Sequence, residues 1–182
     1  MLTIAQHPSA KYAPRTFHNA KSADLTVAFA VDFNTRGEQL TKEAAGGGDR
    51  YLALSLPGDA LKDARVLFAA LRRVNAKVLN VAGNGIYTLR PRGVSQEECN
   101  RHVYEILKKV HAHWPIERIV SGGQTGIDLA GGVAGFALGI DVVMTLPSGY
   151  LQRHEDGVDM KFSEDEIRNQ VEQGVEVVLG LR

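Results

Sequence analysis

Runs of apolar residues alternate with amphipathic segments along most of the chain. The runs are rich in β-branched and other strand-forming residues and are bounded by Gly, Pro, Asn or Asp, which predicts strands. The predicted strands are DLTVAFAVDF (24–33), YLALSLP (51–57), KVLNVAGNG (77–85), RIVSGGQTG (118–126), DVVMTLP (141–147) and the C-terminal EVVLGL segment.

The segments between these strands predict helices. They cover residues 37–45, 59–75, 95–114, 125–138 and 163–174. Asp59 is a predicted N-cap, and Ser95 with Glu98 forms a capping-box pattern ahead of a stripe of apolar residues at helical spacing. Ser163 starts a second capping box, and Gly174 is predicted to end the last helix.

Strands and helices alternate from about residue 51 to the end, which predicts an α/β protein with a mainly parallel sheet and helices on both faces. A length of 182 residues favours a single domain over residues 1–182. Residues 1–23 have no hydrophobic period and are expected to form a loose arm. Residues 24–75 are then expected to be an N-terminal extension, and residues 77–182 the core of the domain.

Composition excludes some classes of partner. Lys+Arg and Asp+Glu number 21 each, so the chain has no general attraction to nucleic acid or to a membrane surface. No stretch approaches the roughly 20 apolar residues that span a bilayer, and the first residues do not resemble a signal peptide. The single cysteine, Cys99, suits a reducing compartment, so we expect a cytoplasmic protein.

Glycine-rich turns follow two of the predicted strands, at Gly83-Asn84-Gly85 and at residues 121–126. Glycine lets backbone N–H groups approach a ligand, and the first N–H groups of the following helix favour an anion such as phosphate. Ser121 and Thr125 add hydroxyl groups, and Gln124 adds an amide that could read a base or sugar. The alternative is a turn with no ligand. The pattern is neither a Walker motif nor GxGxxG.

Two motifs together carry a resemblance to a known family. SGGQTGID is followed about twenty residues later by P-x-G-x-x-x-R-x-E-D-G, which begins at Pro147. This pair resembles the molybdenum-carrier family of the Rossmann-like SLOG superfamily, whose members include nucleotide-derivative binders and phosphoribohydrolases. The resemblance covers roughly residues 118 to 180 and implies a three-layer α/β/α fold. A dimer is usual for the superfamily.

The resemblance also implies a nucleotide site. Backbone groups of Gly122, Gly123 and Gly126 would bind phosphate, and the segment carrying Pro147 and Gly149 would edge the pocket. Three further residues of that segment, Arg153, Glu155 and Asp156, would line it. Here the SGGQTG segment follows about 115 residues rather than lying near the N-terminus, so Gly83, Asn84 and Gly85 would form the other half of the site.

Hydrolysis of an N-glycosidic bond is an alternative to simple binding. The superfamily's phosphoribohydrolases carry a catalytic glutamate in the first turn of the helix, where this chain has Leu129 beside Asp128. Such a hydrolase needs a carboxylate and a proton donor, and the candidates are Asp128, Glu155 and Asp156. A molybdenum-cofactor carrier and an interaction protein without a small ligand are also possible functions. No metal site is expected, and the sequence identifies no cofactor.

A polar cluster just after the first strand of the extension has two readings. Asp32, Asn34, Arg36 and Glu38 could form a substrate loop or only a capped loop start. Similarly, Tyr87 follows a glycine turn and could stack on a base or serve packing alone. The sequence leaves both questions open.

Overall fold

The computed structural model describes residues 1–181, which form seven α-helices and eight strands. The strands are β1 (Leu2–Gln6), β2 (Leu25–Ala30), β3 (Tyr51–Ser55), β4 (Val78–Gly83), β5 (Arg118–Ser121), β6 (Asp141–Leu146), β7 (Gln152–Arg153) and β8 (Asp159–Met160). The helices are α1 (Tyr12–Lys21), α2 (Arg36–Ala45), α3 (Ala60–Val74), α4 (Ile86–Leu89), α5 (Gln96–His111), α6 (Ile127–Ala137) and α7 (Glu164–Val178).

Six strands form one parallel sheet in the order β1-β6-β5-β4-β2-β3, and β7 pairs with β8 in a separate short antiparallel hairpin. From β2 the chain moves outward to β3, then returns to the other side of β2 and continues through β4, β5 and β6. The strand order therefore reverses between β2 and β4. In doubly wound sheets this reversal opens a crevice at the carboxyl ends of the two strands.

Helices cover both faces of the sheet, so the fold is a Rossmann-like three-layer α/β/α arrangement, as predicted. Helices α1 and α2 pack on each other and form one outer layer, while α3, α5, α6 and α7 form the other. Every residue of β2 is buried, because a parallel strand covered on both faces is an apolar run. Residues 24–75 and the rest of the described chain therefore contribute strands to the same sheet.

Helix α6 lies unusually close to the sheet. A Cβ atom added at Gly131 would lie 2.6 Å from Val81 Cβ, and one at Gly132 would lie 2.6 Å from Met144 Sδ. A glycine in a helix costs roughly 1 kcal/mol relative to alanine. The close packing of α6 on β4 and β6, which its small residues allow, offsets this cost in helix stability.

The prediction of a loose arm for residues 1–23 is wrong. β1 pairs in parallel with β6 along the sheet edge, and α1 packs on α2. The sequence pattern did not predict helix α1 because its buried face is partly polar. Arg15 and Asn19 are buried on this face beside Ala20. A helix that faces a polar cavity has no apolar stripe to reveal it.

The C-terminal prediction is also wrong in two respects. EVVLGL is not a strand, because α7 continues to Val178. Gly174 does not end this helix; it lets α7 approach α6, and a Cβ there would lie 2.6 Å from Val133 Cγ2. The segment between β6 and α7, for which no strand was predicted, contains the β7–β8 hairpin.

The predicted helix starts are confirmed. Asp59 accepts a hydrogen bond from the Lys62 N–H, and Ser95 and Ser163 each begin a complete capping box. Among the described residues, no helix combines the length and the apolar character that crossing a membrane requires.

Candidate functional site

A cavity of about 250 Å³ lies at the carboxyl edge of the sheet, beside the reversal point between β2 and β4. Asn80 and Ala82 of β4 line it, together with side chains of α1 and the first turns of α2. Residues of both glycine turns, from Gly83 to Gly85 and around Gly122, complete the wall. The chain therefore has a cavity at the place where doubly wound folds bind ligands.

A buried ion pair joins α1 to the start of α6. Arg15 Nη1 lies 3.0 Å from Asp128 Oδ2, and both side chains are more than nine-tenths buried. Burial raises the pKa of Asp128, while Arg15 and backbone hydrogen bonds from Gly83 and Gln124 oppose that rise. These donors surround the carboxyl group as they would surround an ionised carboxylate.

Gly122 leaves room for this ion pair. A Cβ atom there would overlap both Arg15 Nη1 and Asp128 Oδ2. The first glycine of the predicted cradle is therefore needed for contacts within the protein, whatever it does for a ligand. Asp128 itself lines the cavity, as expected of a candidate catalytic residue.

Asn84 fixes the loop between β2 and α2. Its Oδ1 accepts hydrogen bonds from the N–H groups of Val31 (2.9 Å) and Asp32 (3.2 Å). Its Nδ2 donates to the Asp32 carbonyl and to Glu38 Oε1, both at 3.2 Å. Because all four bonding positions of this buried amide are used, the turn that leads into α2 is held in one arrangement.

Glu38 is a buried carboxyl group on the cavity wall. Burial raises its pKa to about 8, and the charge of Asp128 adds to the rise, while the hydrogen bond from Asn84 opposes it. Glu38 is therefore mostly protonated at neutral pH, beside a second carboxyl group in a different environment. Burial raises the pKa of both carboxyl groups, but only Asp128 has an arginine partner that opposes the rise, and carboxyl groups in unlike environments are typical of acid–base sites.

Three buried polar atoms around the cavity have no hydrogen-bond partner within residues 1–181. They are Arg15 Nε, Asn19 Oδ1 and Glu38 Oε2. The three residues are only 7%, 2% and 3% exposed, respectively. An unsatisfied buried polar group costs roughly 1–3 kcal/mol, so three on residues around one cavity are a cost that contacts within the described residues do not offset.

Asn80, which lines the cavity, belongs to a further polar pair. Asn80 Nδ2 donates to Thr26 Oγ1 at 3.1 Å, between neighbouring positions of β4 and β2. Both side chains are buried in the middle of the sheet, where apolar residues are usual. Ala82, two residues further along β4, keeps partial exposure because it lines the cavity.

Aromatic and charged side chains form the cavity mouth. The guanidinium carbon of Arg153 lies 5.2 Å from the ring centre of Tyr12 and 5.6 Å from that of Tyr87. Arg153 also forms two hydrogen bonds with Asp159, at 2.8 and 3.0 Å, and the Tyr12 hydroxyl donates to the same carboxylate. We call Tyr12, Tyr87, Arg153 and Asp159 the mouth cluster.

Most polar groups of the 121–126 loop bond to the protein itself. Ser121 Oγ donates to the Asp128 carbonyl and accepts the Gly123 N–H. The Gly126 N–H donates to Gln96 Oε1. Gly126, with φ of +94°, also lies against the Asn84 carbonyl and pairs with Gly85 in an isolated β-bridge. The loop is thus tightly packed rather than open to a ligand along its whole length.

Two side chains of this loop hold β7 in position. Gln124 Nε2 donates to the Leu151 carbonyl, and Gln124 Oε1 accepts the Arg153 N–H at 3.0 Å. The Thr125 hydroxyl donates to the Arg153 carbonyl. Binding of a base or sugar by these two side chains stays a prediction, because their hydrogen-bonding groups are engaged with the 151–153 backbone.

The remaining predicted residues lie away from the cavity. Pro147 is buried after β6, and the Gly149 N–H donates to Gln6 Oε1 at 2.6 Å in a turn. Glu155 is exposed and pairs with Arg90 at 3.5 Å. Asp156 is exposed and accepts the Val158 N–H at 2.9 Å. The structure brings Asp128 to the cavity with Arg153, whereas it does not bring Glu155 or Asp156 there.

Glu155 instead lines a second, more open cavity of about 450 Å³, on the side of α5 and α7. Its wall includes four amide side chains, those of Gln96, Asn100, Gln170 and Gln173. The 124–126 loop separates this cavity from the first, because Gln124 lines one and Thr125 the other.

Several cavity residues were not predicted as site residues, or only as an open possibility, and four polar ones stand out. Arg15 and Asn19 belong to the segment expected to be a loose arm, and Glu38 belongs to the polar cluster whose role was open. Asn80 carries a signal that sequence reasoning could have used, because it interrupts an apolar strand with a buried amide.

Comparisons with known families add nothing to the resemblance. No protein-family model matches the chain, and no curated protein matches it. Within residues 1–181, no three His, Cys, Asp or Glu side chains are grouped so that they could hold a metal ion. Inference about function therefore rests on the geometry of the cavity.

Proposed function

We propose that this protein binds a nucleotide or a nucleotide-derived small molecule in the cavity between β4, α1 and α2. The observation that carries the proposal is the set of three unsatisfied buried atoms, Arg15 Nε, Asn19 Oδ1 and Glu38 Oε2, around one cavity at the reversal point of the sheet. They include donor and acceptor groups, which suits a ligand rich in hydroxyl groups, such as a ribose.

The size of the cavity supports a small ligand. Its volume of about 250 Å³ lies just below the roughly 300–1,000 Å³ of sites for drug-sized molecules. A nucleoside or nucleoside monophosphate suits this volume better than a dinucleotide does. The rings of Tyr12 and Tyr87 at the mouth offer faces on which a base could stack.

The family resemblance supports the same class of ligand but suggests a different position for it. The SGGQTG loop supplies Gly122 and Gln124 to one wall of the cavity, while its other polar groups bond within the protein. We therefore propose that the loop shapes the cavity and holds β7, and that α1, α2 and β4 supply the main ligand-binding groups.

One observation favours N-glycosidic hydrolysis as a second candidate function. The reaction requires a proton donor for the departing base and a carboxylate that orients water or stabilises the developing positive charge. Glu38 is mostly protonated at neutral pH, and Asp128 is paired with Arg15 nearby. In this proposal Glu38 Oε2 protonates the base, and Asp128 is the ionised partner. Roles for Glu155 and Asp156 receive no support from their exposed positions.

Two further functions have less support. A molybdenum-cofactor carrier would hold the cofactor through its pterin, which could occupy the cavity, but no observation favours a pterin over a nucleotide, and no described group of side chains is arranged to hold a metal ion. An interaction protein with no small ligand leaves the three unsatisfied atoms unexplained. A dimeric state and a cytoplasmic location stay predictions from the sequence and the resemblance.

The proposal is tested by filling the cavity without removing a polar group. Ala82→Leu places a larger side chain on the cavity wall, and Ala53→Leu adds the same atoms at an exposed position of the edge strand β3 as a matched control. Thermal unfolding is measured with a panel of nucleosides, nucleoside monophosphates, NAD and ADP-ribose. We expect at least one compound to stabilise the wild type and the control but not Ala82→Leu.

The same samples are analysed by chromatography for released base. Stabilisation without released base supports a binding protein, and released base that disappears in Glu38→Gln supports the hydrolase. Equal stabilisation of all three proteins would refute the cavity as the site. An absence of any response would refute the nucleotide proposal itself.

A further inference from the structure

Helix α2 begins on the wall of the cavity. Thr35 caps it, accepting the Glu38 N–H at 3.2 Å, and Arg36 and Gly37 form its first two positions. Both of these residues line the cavity, and neither backbone N–H donates a hydrogen bond within residues 1–181. Free N–H groups in the first turn of a ten-residue helix carry partial positive charge and favour an anion.

The N-terminus of α6, where the sequence predicts phosphate, is different. The Asp128 carboxyl group accepts hydrogen bonds from the backbone of Gln124 and Gly83, and Gln96 Oε1 accepts a hydrogen bond from the Gly126 N–H. A carboxyl group of the chain therefore already occupies the anion position there. The first turn of α2 has no such internal anion among the described residues.

A buried side chain in the same cavity points independently to an anionic ligand. Arg15 is 7% exposed; its Nη1 bonds to Asp128, and its Nε has no partner within the described chain. Arg36 is exposed at the rim and forms no ion pair within residues 1–181. Arginine suits phosphate because its planar group can donate several parallel hydrogen bonds.

The neighbouring carboxyl group does not prevent this. Glu38 follows directly in the first turn of α2, but its raised pKa of about 8 keeps it mostly uncharged at neutral pH. Its Oε1 accepts the hydrogen bond from Asn84, so the proton resides on Oε2, the oxygen without a partner. A protonated Glu38 therefore carries no negative charge that would repel a phosphate beside it.

We infer that the N-terminus of α2, with Arg36 and Arg15, is the phosphate subsite of the cavity, and that the ligand is a phosphomonoester of the nucleoside monophosphate class. The inference rests on the proposed function, since it assumes that the cavity binds the ligand. It goes beyond that function because it moves the phosphate from the 121–126 loop to the N-terminus of a different helix.

A proline at the first helical position gives a clean test. Arg36→Pro removes both the guanidinium group and one N–H, and proline is well tolerated at this position of a helix. The preceding residue, Thr35, has φ of −63° and ψ of 150°, which is compatible with a following proline. Arg36→Ala removes only the guanidinium group, and Arg92→Ala is a control that removes an exposed arginine outside the cavity.

Dissociation constants are measured by calorimetry for four nucleosides, their 5′-monophosphates and inorganic phosphate alone. The readout is the ratio of nucleoside to monophosphate dissociation constants. We expect a ratio of at least tenfold for the wild type and Arg92→Ala, a smaller ratio for Arg36→Ala and the smallest for Arg36→Pro, which keeps only Arg15 and the Gly37 N–H at the subsite. Weak inorganic phosphate binding that Arg36→Pro abolishes would support the same subsite.

Two outcomes separate this inference from the proposed function. If nucleosides bind and the phosphate adds no affinity, or if Arg36→Pro leaves the ratio unchanged, the subsite is refuted while the cavity stays the ligand site. If neither nucleosides nor monophosphates bind, both proposals are refuted.

Discussion

Replacing Glu38 with glutamine tests whether the cavity holds a protonated carboxyl group. Glutamine has the same shape, keeps an oxygen that can accept the hydrogen bond from Asn84, and cannot ionise. Wild-type Glu38 has its pKa raised from 4.5 to about 8, chiefly by burial. The substitution therefore removes one titration while leaving the packing of the α2 turn intact.

The expected effect follows from the linkage between proton binding and folding. The pKa of Glu38 is higher in the folded chain than in the unfolded chain, so unfolding releases a proton between about pH 4.5 and pH 8. The stabilisation from this proton is complete below pH 4.5 and is lost as the pH rises to about 8. Each pKa unit is worth about 1.4 kcal/mol, so the full effect is at most about 5 kcal/mol.

Urea unfolding followed by circular dichroism at pH 5, 6, 7 and 8 measures this effect. The free energy of unfolding of Glu38→Gln should exceed that of the wild type increasingly with pH. The difference should grow by about 3–4 kcal/mol between pH 5 and pH 8. With a urea slope of about 2 kcal/mol per molar, the relative midpoint moves by about 1.5–2 M.

Glu43→Gln, an exposed position of the same helix, is the control and should keep the wild-type dependence on pH. A difference between Glu38→Gln and the wild type that stays constant with pH would refute the protonated state of Glu38. The general-acid role of this residue would then lose its basis.

Two further predictions concern the glycine loop. Gly122→Ala would force Arg15 and Asp128 apart, so we expect the free energy of unfolding in urea to fall by about 3–5 kcal/mol. Gly37→Ala is the control, because Gly37 has open space at its Cβ position, and it should be neutral or slightly stabilising. Equal effects of the two substitutions would contradict this explanation of the packing. Gln124→Ala removes the two hydrogen bonds that hold β7, so we expect the free energy of unfolding to fall by about 1–3 kcal/mol and hydrogen exchange to become faster in residues 151–159. Unchanged exchange in these residues would show that the Gln124 hydrogen bonds do not hold β7.

Much of the fold was predictable from local pattern. Strands β2 to β6 are apolar runs with clear boundaries, and α3, α5 and α7 have caps or apolar stripes that the sequence displays. Helix α1 could not be predicted in this way, because Arg15 and Asn19 face a polar cavity and break the apolar stripe. The valines near the C-terminus are compatible with a strand and with a helix, and tertiary packing against α6 selects the helix.

The candidate site was predictable in location but not in its chemistry. The glycine turns after β4 and β5 do meet at the carboxyl edge of the sheet. The glycine loop and Asp128 have hydrogen-bond partners that are distant in sequence. Gln96 lies 30 residues from Gly126, and Arg15 lies 113 residues from Asp128. A single sequence does not display such long-range pairs, so the internal use of the loop became visible only in the structure.

The central claim is that the ligand occupies the cavity between β4, α1 and α2. Heteronuclear NMR of the ¹⁵N-labelled protein, titrated with nucleoside monophosphates, tests it most directly. We predict that the largest shifts affect the side-chain amides of Asn19 and Asn80 and the backbone amides of Arg36 and Gly37. Shifts confined to the second cavity around Thr125 and Gln173, or no shifts with any of these compounds, would contradict the claim.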